Sequence, residues 1–206
     1  MDRSDSQITA VIPAAGLSRR MGQPKLLMPV GSKTVIERLL AVLTDAGVED
    51  VVVVCRREDS ELHATVKKWG ATVIQPDTDP PDMRTSVAHA LDWFRSTIKP
   101  EESDGWMLIP ADHPVLTTTT VSQLIQAWKE SSADIAVPVH DGRRGHPTIF
   151  GWPAAQQVAS IPSNQGLNQL LRNTSNTVLE VSVDDPAVLF DLDTPEDYER
   201  MIDMWG

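Results

Sequence analysis

From Ile8 to Val139 the chain alternates short apolar stretches with longer segments of helical period, and this alternation constrains the fold more than any other feature. The run Val51, Val52, Val53, Val54 has no polar residue between its members, as expected of a parallel strand covered on both faces. Strands are predicted at 8–13, 50–55, 71–75, 106–110 and 135–139. Helices are predicted at 34–46, 60–69, 85–98 and 118–130. The first helix has Val35, Leu39, Leu40 and Leu43 on one face, and Gly47 stops it. Strand, helix and strand in repetition mean right-handed βαβ units and a mostly parallel sheet. Beyond residue 139 the pattern loosens to a short strand, helices at 153–160 and 165–172, a strand at 178–183 and a closing helix from Pro195. The expectation is an α/β fold with 1–206 as one domain and 1–7 as a disordered tail.

A chain of 206 residues with 41% hydrophobic content can bury one sizeable core. Its net charge of -11, from 18 Lys+Arg and 29 Asp+Glu, argues against a nucleic-acid partner or an anionic membrane. A single cysteine, Cys55, lies beside the valine run and reads as a buried thiol in a reducing compartment. The first residues are polar, and no apolar run approaches the ~18 residues that a membrane helix needs. A cytoplasmic protein is expected.

Four segments carry chemistry. At the end of the first predicted strand, Ala14, Ala15 and Gly16 form a small-residue turn, and Ser18, Arg19, Arg20 and Lys25 follow in the same loop. Small residues expose backbone N–H groups to a ligand, and clustered cations suit a polyphosphate. The loop is neither a Walker A sequence nor a dinucleotide fingerprint, because its glycine spacing fits neither. It reads as a nucleoside triphosphate site, set against the plainer reading of a solvated turn. In the second segment the strand at 106–110 runs into Asp112, His113 and Pro114. Asp112 is suited to Mg²⁺ at a strand edge, or to capping the helix after Thr117. His113 reads as a local hydrogen-bonder, since no second histidine stands at ligand spacing.

The third segment is Phe190 to Asp197. Thr194 or Asp193 before Pro195 is a plausible helix cap, and Glu196 and Asp197 suit a first turn. Asp191 is left over, at the end of a short strand, as a second ligand for a metal on Asp112. In the fourth, Arg143 and Arg144 stand between Gly142 and Gly145, with His146 and Pro147 after them. That loop is either a solvated turn or a grip on a second, anionic substrate.

Taken together, the runs 13–25, 83–87, 112–114, 141–147, 184–186 and 191–197 resemble the MobA-like nucleotidyltransferases, most closely the branch of molybdenum cofactor cytidylyltransferases. The likeness spans residues 8–198. It implies a glycosyltransferase-A-type, Rossmann-like three-layer sandwich around a mostly parallel sheet. The implied reaction has the phosphate of a molybdopterin-type acceptor attack the α-phosphorus of an NTP, with release of pyrophosphate. By the resemblance Ala14, Ala15, Gly16 and Ser86 meet base and ribose, while Ser18, Arg19 and Lys25 hold the triphosphate. It gives Mg²⁺ to Asp112 and Asp191, catalysis to Lys25, Arg19 and Asp112, and the acceptor to Arg143, Arg144 and His146. It also implies a molybdenum enzyme as a partner.

Guanylyl-transferring relatives usually have Ala-Gly-Gly where this chain has Ala14-Ala15-Gly16, so the methyl of Ala15 tilts the reading toward CTP. The chain departs from the pattern at Pro110-Ala111, where glycine usually precedes the metal-binding aspartate, and at Arg84, where small residues are common. The competing readings are GTP in place of CTP, a sugar or alditol phosphate as acceptor, and a non-catalytic accessory protein for a molybdenum enzyme. Trp152 and Trp205 are the candidates for partner contact.

Overall fold

The computed structural model describes residues 3–162 and 164–205. An eight-stranded sheet forms its centre. Its strands are β1 (Ile8–Pro13), β4 (Val51–Val54), β5 (Thr72–Ile74), β6 (Gly105–Leu108), β7 (Ile135–His140), β8 (Arg143–Arg144), β9 (Thr148–Gly151) and β10 (Val178–Ser182). A hairpin of β2 (Pro29–Val30) and β3 (Lys33–Thr34) stands apart. The main path runs β10-β7-β9-β6-β1-β4-β5, with β8 paired to β7. Contacts β1–β4, β1–β6, β4–β5 and β7–β10 are parallel. Within this sheet, among the described residues, β9, between β6 and β7, and the short β8 run against their neighbours.

Successive side chains on a strand point to opposite faces, so the sheet divides the core in two. Ile8, Ala10 and Ile12 join Val51, Val53 and Met107 on one face, while Val11 joins Val52, Val54, Trp106 and Leu108 on the other. The first face is covered by α1 (Val35–Asp45), α2 (Ser60–Lys68), α4 (Thr118–Lys129) and α7 (Pro195–Trp205). The second is covered by α3 (Met83–Thr97), α5 (Ala155–Val158) and α6 (Asn168–Arg172). This is the three-layer α/β/α sandwich expected. Helix α1 starts where predicted, because Thr34 and Glu37 cap each other's backbone N–H groups. Helix α3 starts earlier, at Met83, because the Asp82 carboxylate accepts from Thr85 N at 2.7 Å.

Three expectations change. The helix at 153–160 is a 3₁₀ turn, Trp152–Ala154, followed by the single turn α5. Trp152 is buried, so it is no free surface for a partner, whereas Trp205 is partly exposed. The segment read as a disordered tail is packed from Arg3 onward, while Met1 and Asp2 lie outside the described residues. Arg3 is 8% exposed, lies 4.1 Å above the Trp128 ring and donates to Ala133 O at 2.7 Å. A lone arginine carries no periodicity that would reveal such an anchor.

The connections place the site. After β1 the chain moves to β4 and β5 on one side of it, then returns to β6 on the other. Loops leaving the C-terminal ends of β1 and β6 therefore diverge around a crevice, the usual ligand site of an open α/β sheet. Among the described residues no helix is long and apolar enough to cross a membrane.

Candidate active site

The loop after β1 ends in the 3₁₀ turn Lys25–Leu27, and the loop after β6 carries Asp112. The segment 190–194 follows another 3₁₀ turn, Pro186–Leu189, and is no strand, contrary to the placement expected for Asp191. It is laced to the β6 loop by a hydrogen bond from Leu192 N to Asp112 O at 2.8 Å. Asp112, Asp191 and Asp193 are thereby neighbours.

Lys25 is the hub. Its side chain is 14% exposed, and its ammonium donates to Asp112 Oδ2 at 3.1 Å, Asp193 Oδ1 at 3.2 Å and Leu192 O at 2.8 Å. Arg20 meets the other oxygen of Asp193 at 2.9 Å. Arg19 is exposed and has no hydrogen bond or ion pair among the described residues. Asp193 has this freedom because Thr194 caps α7. The Thr194 hydroxyl accepts from Asp197 N at 3.2 Å, and the Asp197 carboxylate accepts from Thr194 N at 2.9 Å.

Behind the carboxylates, His113 is 3% exposed and its Nε2 lies 2.8 Å from Asp191 Oδ1, a long-range partner where a local one was expected. The bond from His113 holds the Asp191 carboxyl below its ordinary range, against burial, with the nearby His113, His146 and Lys25 charges helping. The His146 ring sits 4.8 Å from His113 at 64°. Burial, and then the neighbouring His113, push His146 down to about 4. One ligand atom each from Asp112, His113 and Asp191 falls within 4.8 Å of the others, a donor set suited to a divalent cation.

A cavity of about 470 Å³ opens beside this cluster. Its lining includes Ala14, Ala15 and Gly16 from the first loop, Lys25, Asp112, Ser86 and the loop 79–83. The Ser86 hydroxyl donates to Asp82 O at 3.3 Å. Pro110 and Ala111 also line it. Arg84 turns aside to pair with Asp82 at 3.6 Å. A second cavity of about 510 Å³ lies beyond the first loop and takes Ser18, Arg19 and Gly22 into its wall. Arg56 lines both, held by Asp59 at 2.6 Å and 3.2 Å. Arg56 and Asp193 were missed from the sequence. A signal for Arg56 existed, since it follows the C-terminal end of β4, the same sheet edge as the other two loops.

The residues expected to hold the acceptor are split. Arg143 and Arg144 form β8, so their side chains point to opposite faces. Arg144 pairs with Glu180 on β10 at 2.7 Å, which takes it from the cluster. His146 alone of the three packs against it, through His113. Gly145 explains how the loop gets so close: a Cβ there would stand 2.3 Å from Val188 O.

A family model for the MobA-like NTP transferase domain matches residues 10–178. The chain belongs to that family. Among its relatives, a molybdenum cofactor cytidylyltransferase of Escherichia coli (strain K12) is 24% identical over 201 residues, covering 94% of each chain. A molybdenum cofactor guanylyltransferase of Rhodopseudomonas palustris (strain BisB5) is 30% identical over 196 residues, covering 91% of this chain and 89% of the relative. The crystal structure of Rv0371c from Mycobacterium tuberculosis H37Rv, 25% identical, superimposes with a TM-score of 0.78 over 97% of this chain and 100% of its own. The same protein has also been crystallised in complex with manganese, and that structure superimposes with a TM-score of 0.74. This MobA-like chain is thus a member of a nucleotidyltransferase family, in the three-layer fold that the resemblance implied.

Proposed function

We propose that this MobA-like transferase moves CMP from CTP to the phosphate of a molybdopterin-type acceptor in the cytoplasm, releasing pyrophosphate. The observation that carries the reading is the contact of Lys25 with Asp112 at one wall of the cavity lined by the 14–16 turn. A phosphate-binding cation beside a metal-binding carboxylate suits a site where phosphate oxygens come to bridge the two.

In this reading Ala14, Ala15, Gly16 and Ser86 surround base and ribose, while Ser18, Arg19 and Lys25 take the triphosphate. Lys25 exchanges carboxylate partners for phosphate oxygens, and Arg19, unpaired, needs no exchange. Asp112 and Asp191 hold Mg²⁺. The two carboxylates fit that ion, and the His113 imidazole beside them would admit Mn²⁺ as well. When bound, the cation neutralises charge on the phosphate oxygens. No side chain forms a covalent intermediate: an oxygen of the acceptor phosphate bonds to the α-phosphorus as its bond to the pyrophosphate oxygen breaks. The chain's contribution is positioning and fixed positive charge. The product would pass to a molybdenum enzyme.

Identity does not decide the base, since cytidylyl- and guanylyltransferases both stand among the relatives. Ala15 favours CTP, because its methyl narrows the cavity that a purine would enter. Thermal shifts with each NTP and Mg²⁺ test this, since stabilisation grows with ligand concentration over Kd. CTP should give the largest shift; a larger one with GTP removes the CTP reading. Pyrophosphate release should vanish in Lys25→Met and Asp112→Asn. Binding without release in the wild type would instead favour the accessory protein.

A further inference from the structure

Asp193 ties together the cations of the first loop. Its Oδ1 accepts from Lys25 at 3.2 Å and its Oδ2 meets Arg20 at 2.9 Å, so one carboxylate holds both, one on each oxygen. A phosphate group offers the same two-oxygen grip, so the carboxylate occupies donors that a polyphosphate needs. Asp112 also touches Lys25, but it belongs with His113 and Asp191 to the donor set suited to a metal ion. Asp193 lies outside that set, and among the described residues its carboxylate is partnered by these two cations. The Arg20 side chain is 70% exposed, and pairs so open to water are worth little each. A more highly charged anion can displace them.

The backbone around Asp193 is fixed while its side chain is not. On one side Leu192 is fully buried, its N–H given to Asp112 O at 2.8 Å and its carbonyl to Lys25. On the other, Thr194 caps α7, and Asp193 N itself donates to Asp197 Oδ2 at 3.2 Å. The Asp193 side chain is 31% exposed and borders a third cavity, of about 490 Å³, behind the 191–193 segment. A change of rotamer therefore takes the carboxylate off both cations without moving the chain. Arg200 lines that cavity and pairs with Asp197 through one nitrogen, which leaves it donors for the displaced carboxylate.

We infer that Asp193 is an internal competitor for the phosphate-binding cations: it holds Lys25 and Arg20 between turnovers, yields them to the triphosphate, and takes them back as pyrophosphate departs. The inference rests on the transferase reading for the identity of the departing anion, and adds to it a residue that hastens product release. A residue that merely positioned the cations would act in the opposite sense. Without it Lys25 and Arg20 would be less well placed, and phosphate binding would weaken. Without a competitor it strengthens.

The test is calorimetric titration of the full chain with inorganic pyrophosphate and with inorganic tripolyphosphate, at fixed Mg²⁺ and ionic strength. Asp193→Asn, which keeps the shape and removes the charge, should bind both anions about tenfold more tightly than the wild type, as expected when two partly exposed ion pairs no longer compete. Asp193→Glu, which restores the charge, should return most of the way to the wild-type affinity. In an Arg20→Gln background the gain from Asp193→Asn should shrink, because one of the contested cations is gone. Asp193→Ser, also neutral, should tighten binding as well, and it serves in place of the asparagine variant if that one does not fold. Equal or weaker binding in the folded neutral variants, or no binding of either anion to wild type and variants alike, overturns the inference. Tighter binding supports it even where no pyrophosphate is released from any NTP, an outcome that would count against transfer alone. Release without any tightening leaves transfer standing and removes Asp193 as a competitor.

Discussion

Replacing His146 with asparagine should flatten the acid limb of the stability profile, and the size of the effect follows from the ring's surroundings. In the unfolded chain the imidazole titrates near 6.5, whereas in the fold burial, and then His113, bring it to about 4. Above pH 6.5 the ring is neutral in both states and adds no pH dependence. Between 6.5 and about 4 the unfolded chain takes up a proton that the folded protein refuses, so stability falls with pH. Each tenfold drop in proton affinity on folding is worth about 1.4 kcal/mol, so the loss reaches at most about 3 kcal/mol and is complete below the folded value. Other groups titrate over the same range, so the informative quantity is the difference between wild type and His146→Asn. Urea unfolding should be followed from about pH 7.5 to about pH 4, with the midpoint and slope fitted at each pH. The wild type should lose about 2 to 3 kcal/mol relative to the variant across this range. A difference that stays constant with pH would refute the argument, since it would mean that the ring accepts its proton in place against His113.

Two further outcomes follow from packing. Gly145→Ala should lower stability by about 3 kcal/mol or more, measured as a drop in denaturant midpoint at constant slope, because the added Cβ meets Val188 backbone that cannot rotate away. Arg3→Ala should cost about 1 to 2 kcal/mol, since it removes both the cation over Trp128 and a hydrogen bond to Ala133 O, and an unchanged midpoint would show the N-terminal anchor to be idle.

The fold was legible wherever burial imposed a period. The valine run could only be a strand covered on both faces, and Val51–Val54 is that strand, with one pair of its side chains in each half of the core. The apolar face of Val35, Leu39, Leu40 and Leu43 marked α1, and the fold shows Thr34 and Glu37 capping its start. The short elements β2, β3 and β8 were illegible, since two residues make no period. Within the site, the nearness of Lys25, Asp112 and Asp191 followed from the rule that ligands sit at the C-terminal edge of a parallel sheet. Asp193 was given to the helix cap because sequence cannot show which of two adjacent candidates takes that role; Thr194 took it and left the carboxylate to Lys25. The Arg143–Arg144 pair was split for a simpler reason. Two neighbours on a strand face opposite ways, and which one meets the site depends on a pairing that only the folded sheet specifies.

The ammonium of Lys25 grips an oxygen 167 residues further along the chain. The lysine therefore finds this acceptor only once the chain has been made through Leu192, and a product ending short of it would leave that charge beside Asp112 alone. Such a fragment could hold every residue of the first loop and still lack the Asp193 carboxylate that pairs with Lys25. The competence of the opening motif is decided by residues made 167 positions after it.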